Sequence, residues 1–82
     1  MRTVTFKSIP RNFEKEIRGI KPNTVREFDE KDKRFQGEDP VWIIIQERGT
    51  KRRFKRELTD VTYWGNIVIY SWKHIKLKSW GF

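Results

Sequence analysis

A single helix is stopped early in this chain, and everything after the stop reads as β-structure. Phe13, Ile17 and Ile20 recur at i, i+4 and i+7, which lays one apolar stripe along a helix, while Arg11, Glu14, Lys15 and Arg18 fall on the wet side. Pro10 suits the first turn, where its missing N–H has no intrahelical partner. Gly19 fits a left-handed cap, and Pro22 forbids continuation, so the helix ends near Arg18. Glu14 and Arg18 are spaced to pair across one turn.

On either side of that helix the pattern has period two. Residues 2–7 alternate, with Val4 and Phe6 facing inward from a first strand. Asn23 to Phe28 forms a second, with Val25 on one face and Thr24 and Arg26 on the other. Glu27 to Asp39 is a charged, solvated loop anchored by Phe35, and the turn residues 36–40 lead into the run Val41 to Glu47. That run is apolar enough to expect cover on both faces. Arg52 to Tyr63 is a long return strand in which Phe54 and Leu58 share a face, whereas Val61 and Tyr63 join it only across a bulge. Trp64-Gly65-Asn66-Ile67 signals a tight hairpin, Ile67 to Trp72 the next strand, and Lys73 to Trp80 a last alternating segment.

The predicted fold is mainly β with one N-terminal helix (α+β). It is a small, partly open β-barrel of mostly antiparallel strands, with the bulge turning the corner and the helix at one end. All 82 residues belong to one domain, since so short a chain buries only about 60% of its unfolded surface and cannot support two cores. Four Trp, six Phe and two Tyr supply that core. The absence of cysteine excludes disulfides and thiolate metal sites, and a single histidine, His74, is a poor start for any metal; no cofactor is expected. No apolar stretch has the length of a signal peptide or membrane span, so the expected location is the cytoplasm.

A net charge of +8 points to polyanions, nucleic acid first. Two stretches concentrate the chemistry. Gly19-Ile20-Lys21-Pro22-Asn23-Thr24-Val25-Arg26 places an ammonium, an amide, a hydroxyl and a guanidinium in six residues where the helix gives way to a strand. Lys21 and Arg26 can hold a phosphate or base edge, Asn23 can read donors and acceptors, and Tyr63, Trp64 or Trp72 can stack on a base, with Trp64 at its turn the preferred platform. The second stretch is the hairpin Arg48 to Arg56, with Arg48, Lys51, Arg52, Arg53 and Lys55 as candidate phosphate contacts. Its plainer reading is an edge protected from aggregation by charge.

The run from Val4-Thr5-Phe6 through the helix Phe13 to Arg18 and on to Gly19-Ile20-Lys21-Pro22-Asn23-Thr24-Val25-Arg26 resembles the start of ASCH domains, a branch of the PUA-like barrels. In that family a strand and a helix precede a glycine, a lysine and a short segment ending in a strand arginine. The resemblance implies a PUA-like fold and a pocket that binds RNA or a modified nucleoside. In some small bacterial members it implies hydrolysis of the acetyl amide of N4-acetylcytidine by a lysine and a threonine three residues later, here Lys21 and Thr24. Those enzymes add a glutamate from a helical insertion for which a chain of this length has no room. Many other members carry glutamate where Thr24 stands, so the threonine points toward the enzyme group.

As a catalytic pair, Lys21 would serve as base, Thr24 as nucleophile and Arg26 as oxyanion partner, with Glu27, Glu47 or Asp60 as the missing carboxylate. A third class is a small inhibitor that blocks a nucleic-acid-binding protein, with the 27–39 loop as its protein contact.

Overall fold

The computed structural model describes residues 2–73. In chain order it holds β1 (Thr3–Ser8), α1 (Pro10–Ile17), β2 (Asn23–Glu27), a 3-10 turn at Lys33–Phe35, β3 (Trp42–Glu47), β4 (Arg53–Trp64) and β5 (Ile67–Trp72). One curled sheet runs in the order β1-β3-β4-β5-β2, with β1 parallel to β3 and every other pairing antiparallel. This is the expected α+β architecture with a partly open barrel. Beyond Lys73, the last alternating segment lies outside the described residues.

β4 makes the corner. Its first half pairs with β3 and its second with β5, and the register shifts between Leu58 and Asp60, where Thr59 is the extra residue. A bulge bends the strand and raises its twist, so the sheet turns back on itself and Val61 returns to the core side, opposite Tyr70. The parity break in the sequence is therefore the bend. Inside lie Val4 and Phe6 of β1, Phe13 of α1, Ile43 and Ile45 of β3, Phe54 of β4, and Val68, Tyr70 and Trp72 of β5. Their rings meet tilted or edge-on, as in Phe13 against Phe54 at 5.5 Å and Phe54 against Trp72 at 5.8 Å.

Three expectations are corrected. Ile20 does not complete the apolar stripe but stands 71% exposed, because Gly19 adopts φ +80° and turns the chain away from the helix first. The second face of β3 is only partly covered: Trp42, Ile44 and Gln46 are half-buried, and Lys55 lays its ammonium over the Trp42 ring. Trp72 is buried in the core and offers no stacking surface. The charged loop, by contrast, is anchored as expected. Phe35 packs against Phe6 and Phe28, and Arg34 reaches the Thr5 carbonyl.

Among the described residues, no helix is long and apolar enough to cross a membrane.

The loop is also tied to the far end of β4, where the Tyr63 hydroxyl donates to Asp39 Oδ1 at 2.6 Å. That bond, helped by burial and by the Asp39 charge, pushes the Tyr63 phenol from an ordinary 10.0 up to about 12. Because the folded value lies above the unfolded one, the linked stability is fully present below pH 10 and is lost as pH rises toward about 12. Burial raises the Tyr70 phenol as well. Phenolate absorbance should therefore show neither tyrosine ionising near pH 10 in the folded protein, and Asp39→Asn should bring one of them back down. A phenol titrating near 10 in the unaltered protein would contradict this strap.

Candidate functional site

The two strands at the edges of the sheet, β1 and β2, face each other across the open seam of the barrel, and Arg26 spans it. Thr24 and Arg26 share the inward side of β2 while Val25 points out, the period-two alternation expected of a strand. From there the guanidinium donates through Nε to Thr24 Oγ1 at 3.0 Å, through Nη1 to the Lys7 carbonyl at 2.8 Å and through Nη2 to Ser8 Oγ at 3.0 Å. It also lies 4.8 Å over the Phe6 ring, with Arg34 at 4.5 Å from the same ring. Burial is the main influence that pushes the Arg26 guanidinium below its ordinary range. The nearby Glu16 charge opposes this, and the like charges of Arg34 and Arg48 add to it.

Beside Arg26 lies a small, half-open cavity of about 200 Å³ whose lining includes Ser8, Glu16, Lys21, Thr24 and Arg26. Local backbone geometry delivers each of these. The left-handed Gly19 donates its N–H to the Glu16 carbonyl, and the Lys21 N–H returns to the Lys15 carbonyl. This folds Lys21 back beneath the helix end, where its ammonium meets Glu16 Oε2 at 3.5 Å. Pro22 then passes the chain to the sheet, its carbonyl accepting from the Trp72 N–H. Glu16 is 1% exposed, and its other oxygen, Oε1, has no partner among the described residues. A buried carboxylate with one long ion pair and one orphan oxygen costs stability.

Sequence reasoning missed Glu16. The signal was present, because Glu16 stands three residues after Phe13 and next to Ile17, on the face that the helix turns inward. Ser8 was likewise unremarked, since a serine closing a strand carries no pattern of its own. Of the residues singled out beforehand, Lys21, Thr24 and Arg26 are brought together. Asn23 pairs with Ser71 on the neighbouring strand and does not line the cavity. Tyr63 is held by Asp39, and Trp64 stands 74% exposed at the hairpin tip, so both lie apart from the cavity.

None of the three carboxylates considered for the site lines the cavity. Glu47 accepts from the Thr50 hydroxyl, Asp60 accepts from Thr62, and Glu27 is exposed on β2.

The basic hairpin divides. Arg48 lines the cavity, whereas Lys51 and Arg53 are exposed elsewhere. Arg52 is engaged by Glu14 at 2.6 Å and by Glu47 at 3.7 Å, and covers Phe13. Lys55 is spent on Trp42. Among the described residues, no cluster of three His, Cys, Asp or Glu side chains could hold a metal ion.

No protein-family model matches the chain, and a search of curated proteins finds no match.

The cost of Glu16 is measurable by urea unfolding. Glu16→Met keeps the volume and removes the orphaned charge, and it should leave stability unchanged or raise it by about 1 kcal/mol. Lys21→Ala strands the carboxylate and should cost about 2 kcal/mol or more. A loss of several kcal/mol in Glu16→Met would show that the carboxylate holds the fold together instead.

Proposed function

We propose that this protein binds RNA or a modified nucleoside, taking one base into the cavity behind Arg26. The observation that carries this reading is the buried Glu16 carboxylate, half-paired with Lys21, beside the buried Thr24 hydroxyl. Together they offer an acceptor, an ammonium donor and a hydroxyl in one small space. A base edge needs such a mixed set of partners. The volume of about 200 Å³ lies below the roughly 300–1,000 Å³ of clefts for drug-sized ligands, and it suits a single planar ring. The net charge of +8 supports an anionic polymer or its units as ligand. The resemblance of the first third of the chain to ASCH domains of the PUA-like barrels agrees with this, and so does a place of action in the cytoplasm.

Hydrolysis of an N4-acylated cytidine is the second reading, and Glu16 is the observation that favours it. It brings a carboxylate beside Lys21 and Thr24 from the N-terminal helix, without any insertion among the later strands. In such a reaction the Thr24 oxygen attacks the acyl carbonyl, and the C–N bond breaks as the amide nitrogen takes up the threonine proton and leaves as the amine of cytidine. Water then cleaves the acyl-threonine ester, which releases the acid and restores the Thr24 hydroxyl. Arg26 Nε already donates to that oxygen and would stabilise negative charge there. An ammonium paired with a carboxylate has no lone pair to offer, so Glu16 is the group able to accept the threonine proton, directly or through Lys21. This pairing is why binding is the preferred reading.

The two readings separate on Thr24→Ala. The protein is incubated with N4-acetylcytidine, its affinity measured by calorimetry and cytidine release followed by mass spectrometry. Binding predicts no release, affinity reduced by no more than a few-fold in Thr24→Ala, and a loss of about tenfold in Lys21→Ala. Hydrolysis predicts release that Thr24→Ala nearly abolishes. Neither affinity nor release, for this or any other nucleoside, would refute both.

A further inference from the structure

A second concavity opens on the other side of Arg26: a cleft of about 640 Å³ walled partly by Phe28 and Phe35. The residues that line both it and the small cavity are Lys7, Arg26 and Arg48, and all three are cations. Backbone bonds hold the chain positions of Lys7 and Arg48 next to Arg26. The Lys7 carbonyl accepts from Arg26, and the Arg48 N–H donates to the Ser8 carbonyl at 2.7 Å. Lys7 and Arg48 thus spring from positions pinned beside the Arg26 fork.

This group of charges is unbalanced. Among the described residues none of the three has a carboxylate within 4.0 Å, whereas Arg34 nearby is neutralised by Asp32 at 2.6 Å. A guanidinium carries five N–H donors, and three of those on Arg26 are taken, which leaves Nη1 and Nη2 one each. The Arg34 and Arg48 charges both act against that of Arg26, and an anion at the rim would relieve this. Glu27 and Asp29 line the cleft but not the cavity, so an anion is favoured at the shared rim over the far end of the cleft.

We infer that the rim formed by Lys7, Arg26 and Arg48 is a phosphate site, and that the ligand is a nucleotide or a nucleotide unit of RNA, not a free nucleoside. This rests on the reading of the cavity as a base pocket. With the base behind Arg26, a phosphate on the ribose lies on the rim. Lys7 and Arg48 give it charge, and the remaining Arg26 donors give it direction.

Calorimetry at low salt tests this with cytidine, uridine, adenosine, guanosine and N4-acetylcytidine, each compared with its 5′-monophosphate and with a short single-stranded RNA containing it. At least one base should bind about tenfold or more tightly once it carries a phosphate. In the Lys7→Ala/Arg48→Ala double variant that ratio should fall toward one. Both side chains are exposed, so the variant should keep its circular dichroism spectrum and unfolding midpoint. A gain seen with RNA but not with the monophosphate, and lost in the double variant, would assign the rim to an internal phosphodiester and support the inference. Equal affinity of nucleoside and phosphorylated forms would overturn it while leaving the base pocket standing, as would a phosphate gain that survives the double variant. If no nucleoside, nucleotide or RNA binds, the base pocket fails and the phosphate site falls with it.

Discussion

The structure depends on how the last gap of a five-stranded sheet is bridged. A sheet of order β1-β3-β4-β5-β2 leaves two edges, and open edges carry unpaired N–H and C=O groups. Here one side chain supplies what a further pairing would have supplied. The fork of Arg26 reaches from β2 to the Lys7 carbonyl and Ser8 hydroxyl of β1, and Arg34 occupies the Thr5 carbonyl two residues earlier. A lysine could not do this, because the bridge needs donors diverging from one plane. The aromatic face of Phe6 beneath both guanidinium groups offsets part of the cost of removing them from water.

Bridging the seam with a side chain instead of a backbone ladder leaves space behind it, and that space holds the charged cluster. Arg26 is therefore both the closure of the barrel and the wall between the cavity and the cleft. The cluster also explains the placement of the single helix. α1 inserts Phe13 into the core and, one turn on, Glu16 into the cavity, and the Gly19 reversal carries Lys21 back to meet it. Fold and site share the same few residues. Replacing Arg26 or Lys21 is thus also a perturbation of the barrel, and for these residues affinity and stability have to be measured together.

Much of this was legible in the sequence because local rules and the final fold agree. Gly19 and Pro22 mark the end of the helix, and the alternation around Val25 puts Thr24 and Arg26 on one face, which the fold turns inward. The parity break between Leu58 and Val61 foretold the bulge that curls the sheet. What escaped depended on contacts between distant segments. Glu16 looked like one more acid on a charged helix until Lys21 and Arg26 were brought to it. The hairpin cations looked equivalent in sequence, yet Arg52 and Lys55 are spent on Glu14, Glu47 and Trp42 while Arg48 faces the seam. Tyr63 and Trp64 both read as stacking platforms by sequence, with Trp64 at a turn. Successive strand residues point to opposite faces, and only the tertiary position of Asp39 shows that one of them is already engaged.

The central claim is that the residues gathered around Arg26, Arg48 among them, form the ligand site, and not the rest of the basic hairpin or the exposed hairpin tip. The most direct measurement is an NMR titration of the amide resonances with N4-acetylcytidine 5′-monophosphate, residue by residue. The account predicts saturable shifts concentrated at Lys7, Ser8, Glu16, Lys21, Thr24 and Arg26, with Arg52 to Lys55 and Trp64 nearly still. Shifts confined to the hairpins, with the Arg26 cluster unmoved, would contradict it.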